Sequence, residues 1–119
     1  MIFYLSVSPP ERSLIIEVEG KSYELDWRRI AVLLALRWVR FNALPLARFQ
    51  TIETDPGKLR ALVEELKAMK LIEEFTVGRS SIIYLTEEGV KVAVKIENIA
   101  RESRLLQEQL SSSGMNYKV

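Results

Sequence analysis

The sequence predicts an α+β domain, mainly α: a β-strand and β-hairpin at the N-terminus, three helices, a second hairpin and a long C-terminal helix. Three observations predict it. Runs of β-formers with alternating polarity stand on both sides of a helical middle. Helical patterns open on side chains that cap, Asp26, Asp55 and Thr86. Finally, 119 residues with 48 % apolar and 28 % charged content suffice for one hydrophobic core and one domain.

Residues 1–25 read as a strand and a hairpin. The strand, 2–7, is stopped by Pro9 and Pro10. In the hairpin Leu14, Ile16 and Val18 share a face, Gly20 and Lys21 form a type II′ turn, and Tyr23 and Leu25 return. That register sets Val18 opposite Tyr23, Ile16 opposite Leu25 and Glu17 opposite Glu24, the last an unfavourable pair.

Asp26 caps a helix over 27–41, with Trp27, Ile30, Ala31, Leu34, Trp38 and Phe41 as its apolar stripe. Val32, Leu33, Leu36 and Val39 widen the stripe nearly all round, which points to burial on two sides, the second against a partner subunit. Arg28, Arg29, Arg37 and Arg40 reach out at its margins. A shorter helix follows over 46–52, with Pro45 at its first turn. Asp55 caps and Pro56 opens a third helix, 55–70, whose Leu59, Leu62, Val63 and Leu66 face inward. Runs 71–77 and 80–85 form a hairpin around Gly78 and Arg79. Thr86 caps the last helix, 87–110, where Glu87 and Glu88 suit the dipole. Residues 111–119 are expected to be a flexible tail.

The composition removes most catalytic chemistry. Without Cys or His there is no disulfide, no zinc site of the usual ligands and no thiol or imidazole catalysis. The phosphate-cradling Gly-x-x-x-x-Gly-Lys run and the Gly-x-Ser-x-Gly elbow are missing. The carboxylate pairs Glu64 with Glu65, Glu73 with Glu74 and Glu87 with Glu88 are chain neighbours, which do not converge. A binding module, not an enzyme, is expected, with no cofactor and no metal. The longest apolar run, 30–36, is far short of the ~20 residues of a membrane span. No basic leader precedes the early prolines. A cytoplasmic, nucleoid-associated protein is expected.

Helices followed by a hairpin give the order of a winged helix-turn-helix. Residues 55–89 sharpen this, with Leu59, Leu62 and Leu66, then Lys70-Leu71-Ile72, Gly78-Arg79, and Tyr84-Leu85-Thr86-Glu87-Glu88-Gly89. This run resembles the recognition-helix-to-wing segment of MarR-, PadR- and ArsR-like regulators. Those proteins carry a Gly-Leu-Ile step where Lys70-Leu71-Ile72 stands, so the turn is expected to be built differently here. The resemblance implies a winged helix-turn-helix over 26–89, a wing at 71–86, binding to double-stranded DNA, and a C-terminal dimerisation helix over 87–110. Small archaeal chromatin-associated winged-helix proteins also dimerise through such a helix.

Candidate DNA-binding residues follow from that layout. Arg48, Gln50 and Thr54 lie on or beside the helix that crosses the DNA backbone. On the third helix Gly57 and Ala61 permit close approach, Lys58 and Arg60 grip phosphates or a guanine edge, and Glu64 accepts from a cytosine amino group. Arg79, Ser80 and Ser81 are the wing's contacts. The outward stripe of Gly57, Ala61, Glu64 and Ala68 also suits packing against a protein. In the last helix Val92, Ile96, Ile99, Leu106 and Leu110 recur as a heptad stripe, broken by Ser103, and form the expected dimer seam. Net charge is only +1, though 26–54 is basic, with Arg28, Arg29, Arg37, Arg40 and Arg48 against Asp26 and Glu53. The expected function is a dimeric, sequence-specific DNA-binding transcription regulator. The alternatives are a winged-helix protein-interaction module of a transcription or replication assembly, and an architectural chromatin protein.

Overall fold

The computed structural model describes residues 13–112, with side chains up to residue 103. The expected strand at 2–7 lies outside the described residues, as do residues 113–119 of the expected tail. Ser111 and Ser112 belong to the last helix instead of opening that tail.

The chain begins with antiparallel β1 (Ser13–Val18) and β2 (Lys21–Asp26). Their turn is Glu19-Gly20, both left-handed at φ 53° and 83°, as in the type I′ turn whose twist matches paired strands. The register therefore differs from that of a Gly20-Lys21 turn. Ile16 faces Tyr23, Leu14 faces Leu25, and Glu17 faces Ser22, which relieves the expected like-charge pair. Ile16, Tyr23 and Leu25 are buried.

Asp26 caps α1 (Trp27–Arg37), its carboxylate accepting from the Arg29 amide. The helix buries a different side from the one expected. Val32, Leu33 and Leu36 are fully buried, whereas Trp27, Trp38 and Phe41 are 42 %, 67 % and 85 % exposed. A helix apolar nearly all round has no single direction of its own, so its neighbours select the covered side. Here those neighbours are α3, β2 and β5. The helix also stops short of 41: Val39 is extended, and Phe41 and Asn42 are left-handed at φ 66° and 54°.

A 3₁₀ turn (Arg40–Asn42) leads into β3 (Ala43–Pro45), a strand too short to show alternation in the sequence. The expected helix over 46–52 is a 3₁₀ helix, Leu46–Thr51, with Pro45 just outside it and Phe49 buried beneath. Asp55 then caps α2 (Pro56–Ala68) by accepting from the Gly57 and Lys58 amides, and Leu59, Leu62, Val63 and Leu66 enter the core. The wing is β4 (Ile72–Val77) and β5 (Ser80–Leu85), turning at Gly78 with φ 60°. The short β3 joins the other side of β5, giving the antiparallel order β3-β5-β4. The N-terminal hairpin forms a separate sheet against α1 and α3 and does not extend the wing sheet.

The turn between α2 and β4 accounts for two of the motif residues. Leu71 N donates to Leu66 O and Lys70 N to Lys67 O, the paired bonds of a Schellman ending. Lys70 occupies its left-handed position at φ 65°. The turn is thus built as a glycine would build it, contrary to the expected departure, with a lysine held in the same conformation. Thr86 locks α3 (Glu87–Ser112) onto this turn: its amide donates to Leu71 O, its hydroxyl donates to Lys70 O, and the hydroxyl oxygen accepts from the Gly89 amide. A Cβ on Gly89 would sit 2.0 Å from Leu71 O, so only glycine fits.

The first half of α3 belongs to the chain's own core. Val92 and Ile96, expected in a dimer seam, are 0 % and 4 % exposed, and Ile99 packs at the core's edge. The seam is corrected at those two positions because α1 and β1 already cover them. Ser103 is exposed, and Leu106 and Leu110 lie on the helix beyond the described side chains.

Candidate functional site

The 3₁₀ helix Leu46–Thr51, α2 and the wing meet around one open cavity of about 320 Å³. Gln50 comes from the 3₁₀ helix, Pro56 and Leu59 from the start of α2, and Arg79, Ser80 and Ser81 from the wing. Four expected site residues, Gln50, Arg79, Ser80 and Ser81, are thus brought together. Arg48 and Thr54 are exposed beside this cavity's lining without forming part of it. Gly57, Ala61 and Glu64 are exposed along α2, where the four buried side chains fix the outward direction.

Lys58 lies on the other flank of α2. It lines a second cleft, of about 240 Å³, with Asp26, Arg28, Arg29 and Glu53. Arg28 is 3.2 Å from Glu53 and stacks over Trp27, and Arg29 bridges Asp26 and Glu65. Those two arginines are thereby engaged within the fold, whereas Arg48, Lys58 and Arg79 have no carboxylate partner among the described residues.

Arg60 differs from the expectation of a free phosphate grip. Its guanidinium makes a two-pronged contact with Glu74 on β4, Nη1 to Oε1 at 2.8 Å and Nη2 to Oε2 at 3.0 Å, and Nη1 also reaches Glu64 at 3.0 Å. Lys67 donates to the same Glu74 oxygen at 3.1 Å and lies 3.4 Å from Glu64. The Arg60 hydrogen bonds hold the Glu74 carboxyl well below the usual range, at about 2, with Ser81 and then Lys67 adding to the effect. The same contact raises Arg60 and Lys67. Glu74 escaped the sequence reading because it was weighed only against its neighbour Glu73. The alternation of β4 separates the two, with Glu74 directly opposite the buried Ile83.

Two short helical segments followed by a strand-paired hairpin, with a further helix locked to the hairpin's end, define a winged helix-turn-helix. No family model and no curated protein sequence matches the chain. Solved structures match it in fold. A mutant of ZitR from Lactococcus lactis in complex with DNA superposes with a TM-score of 0.70 at 14 % identity, over 95 % of this chain and 78 % of that one. ZitR is a zinc-responsive MarR family member, whereas this chain has neither His nor Cys. MepR from Staphylococcus aureus, a transcription regulator of the multidrug efflux pump MepA, gives 0.64 at 19 % identity, over 76 % and 67 %. BpsR from Bordetella bronchiseptica, whose DNA binding is regulated by 6-hydroxynicotinic acid, gives 0.54 at 25 % identity, over 77 % and 64 %. The fold is therefore a MarR-like winged helix-turn-helix.

Proposed function

We propose that this chain is a dimeric, sequence-specific double-stranded-DNA-binding transcription regulator. The observation that carries the reading is the meeting of the 3₁₀ helix, α2 and the wing around one open cavity that Gln50, Arg79, Ser80 and Ser81 line, with Arg48, Lys58 and Arg79 as exposed cations on those three elements that have no carboxylate partner among the described residues. Phosphate contacts need such cations, while base edges are read by the residues between them. Gly57 and Ala61 let α2 approach a groove closely. Glu64, tied to Arg60 and Lys67 through Oε2, retains Oε1 for a cytosine amino group. Gln50, Ser80 and Ser81 supply neutral polar groups around the cavity, and Thr54 an exposed hydroxyl just ahead of α2. The ZitR–DNA complex supports the reading by its fold. A nucleoid-associated location goes with it.

The dimer belongs to the same proposal. Trp38 and Phe41 are exposed, and Trp38 Nε1 donates to Glu97 at 2.5 Å, which places the indole against α3. Residues 100–103 are exposed and the helix runs on to Ser112, and in the proposed dimer a second copy covers Trp38, Phe41 and the distal stripe of Ser103, Leu106 and Leu110. Two α2 helices roughly 34–36 Å apart would then read successive half-sites.

Selection from a pool of random duplexes tests the reading. An enriched, two-fold related sequence is expected, and an unenriched pool would sink it. A second reading, a module that binds protein, is favoured by the small outward residues Ala61 and Ala68 and by Phe75 and Val77, 47 % and 58 % exposed on the wing. Co-purification of a partner with no duplex bound at low salt would select it.

A further inference from the structure

We propose that Arg60, Lys67 and Glu74 form an ion clamp that sets the pose of the wing relative to α2, and that Glu74 is a positioning residue for DNA binding. This inference rests on the DNA-binding reading above. It assigns Arg60 and Lys67 to the protein's own geometry instead of to phosphates.

The wing needs such a device. From Phe75 through Ser80 every residue is exposed, so the outer hairpin has no core beneath it. Among the described residues, β3 pairs only with β5, at Ile82, Ile83 and Tyr84, and no strand pairs with the other edge of β4. On β4, Ile72 is buried at the strand's root and Glu74 is the next inward side chain, 13 % exposed. Arg60 and Lys67 lie two turns apart on one face of α2 and both reach that carboxylate. A carboxylate gripped from two points seven residues apart is fixed along the helix as well as across it. The bidentate geometry adds orientation to strength. Glu64 closes the cluster on the outside, leaving two cations balanced by two carboxylates. The wing cation Arg79 and the α2 cation Lys58 are then held at one separation, as two contacts to a rigid duplex require.

The sign of one substitution separates this clamp from electrostatics. Glu74→Gln keeps the side chain's shape and removes a negative charge close to the proposed DNA-facing surface. By charge alone, or by freeing Arg60 for a phosphate, it would strengthen binding. The clamp requires it to weaken binding. The experiment compares the full chain and Glu74→Gln in affinity for the selected duplex and in amide exchange of β4 and β5. Expected are about tenfold weaker binding, faster exchange in the wing, and unchanged exchange in α1. The charge-swapped pair Arg60→Glu with Glu74→Arg is expected to recover both. If Glu74→Gln does not fold, Glu74→Asp takes its place, with the charge kept, the reach shortened and the same weakening expected. Unchanged wing exchange, or binding that holds or tightens, overturns the clamp's role. A wild-type chain that binds no duplex overturns the DNA-binding reading instead, and the exchange comparison still decides whether the clamp exists.

Discussion

Lys70 and Gly89 both lie where α2, the wing and α3 meet, linked through the Thr86 hydroxyl, and each makes that junction testable. Lys70 sits at φ 65°, a conformation that costs an L-residue with a Cβ roughly 1–2 kcal/mol and glycine little. Lys70→Gly is therefore expected to stabilise the protein by about 1 kcal/mol, seen as a higher denaturant midpoint. A lower midpoint would mean that the lysine side chain contributes more than its backbone costs. Gly89 has no such freedom, because any Cβ meets Leu71 O at 2.0 Å and a Leu85 methyl at 2.9 Å. Gly89→Ala is expected to destabilise by about 3 kcal/mol through overpacking at backbone that cannot yield. A thermal midpoint equal to wild type would contradict that packing. Both residues lie in the segment whose motif was legible in the sequence, and the structure supplies its cause: Thr86 and Gly89 dock a helix onto a Schellman turn.

At the scale of elements, the clamp between α2 and β4 has a pH signature. Glu74 has a carboxyl pKa of about 2 in the folded chain against an ordinary 4.5. A depressed carboxylate stabilises the fold above its unfolded pKa, and that contribution is lost as pH falls through the folded one. Wild type is thus expected to lose stability between pH 4.5 and about 2 more steeply than Glu74→Gln. Parallel acid-denaturation profiles would argue against the contact. Alanine at Lys58 or Arg79 is expected to lower the salt slope of DNA binding by about one. Alanine at Arg60 should weaken binding and leave that slope unchanged, since its charge is already matched within the fold.

What the sequence left illegible also sits at this scale. Capped α2 and the wing could be read because Asp55, Pro56 and Gly78 are local signals. The buried side of α1 could not, because Trp27, Trp38, Val32 and Leu36 occupy all its faces and only tertiary neighbours choose among them. β3 has too few residues to carry a period. The first hairpin's register turned on Glu19 accepting a left-handed φ. Arg60 was read as a free cation because its partner, Glu74, comes from another element.

For the whole molecule, the proposed dimer rests on exposed Trp38 and Phe41, with Trp38 hydrogen-bonded to Glu97 of α3. Sedimentation equilibrium is expected to return about twice 13.7 kDa, and Trp38→Glu with Phe41→Glu to shift the mass toward one chain. A monomer at every concentration tested would remove the two-fold arrangement of α2 helices. DNA recognition itself is tested most directly by titrating the full chain with its selected duplex over a range of salt concentrations. A specific affinity that falls steeply and log-linearly with salt is expected, with a slope reduced in the Lys58→Ala, Arg79→Ala double variant. Absence of binding at low salt, or a slope the double variant leaves untouched, would contradict it.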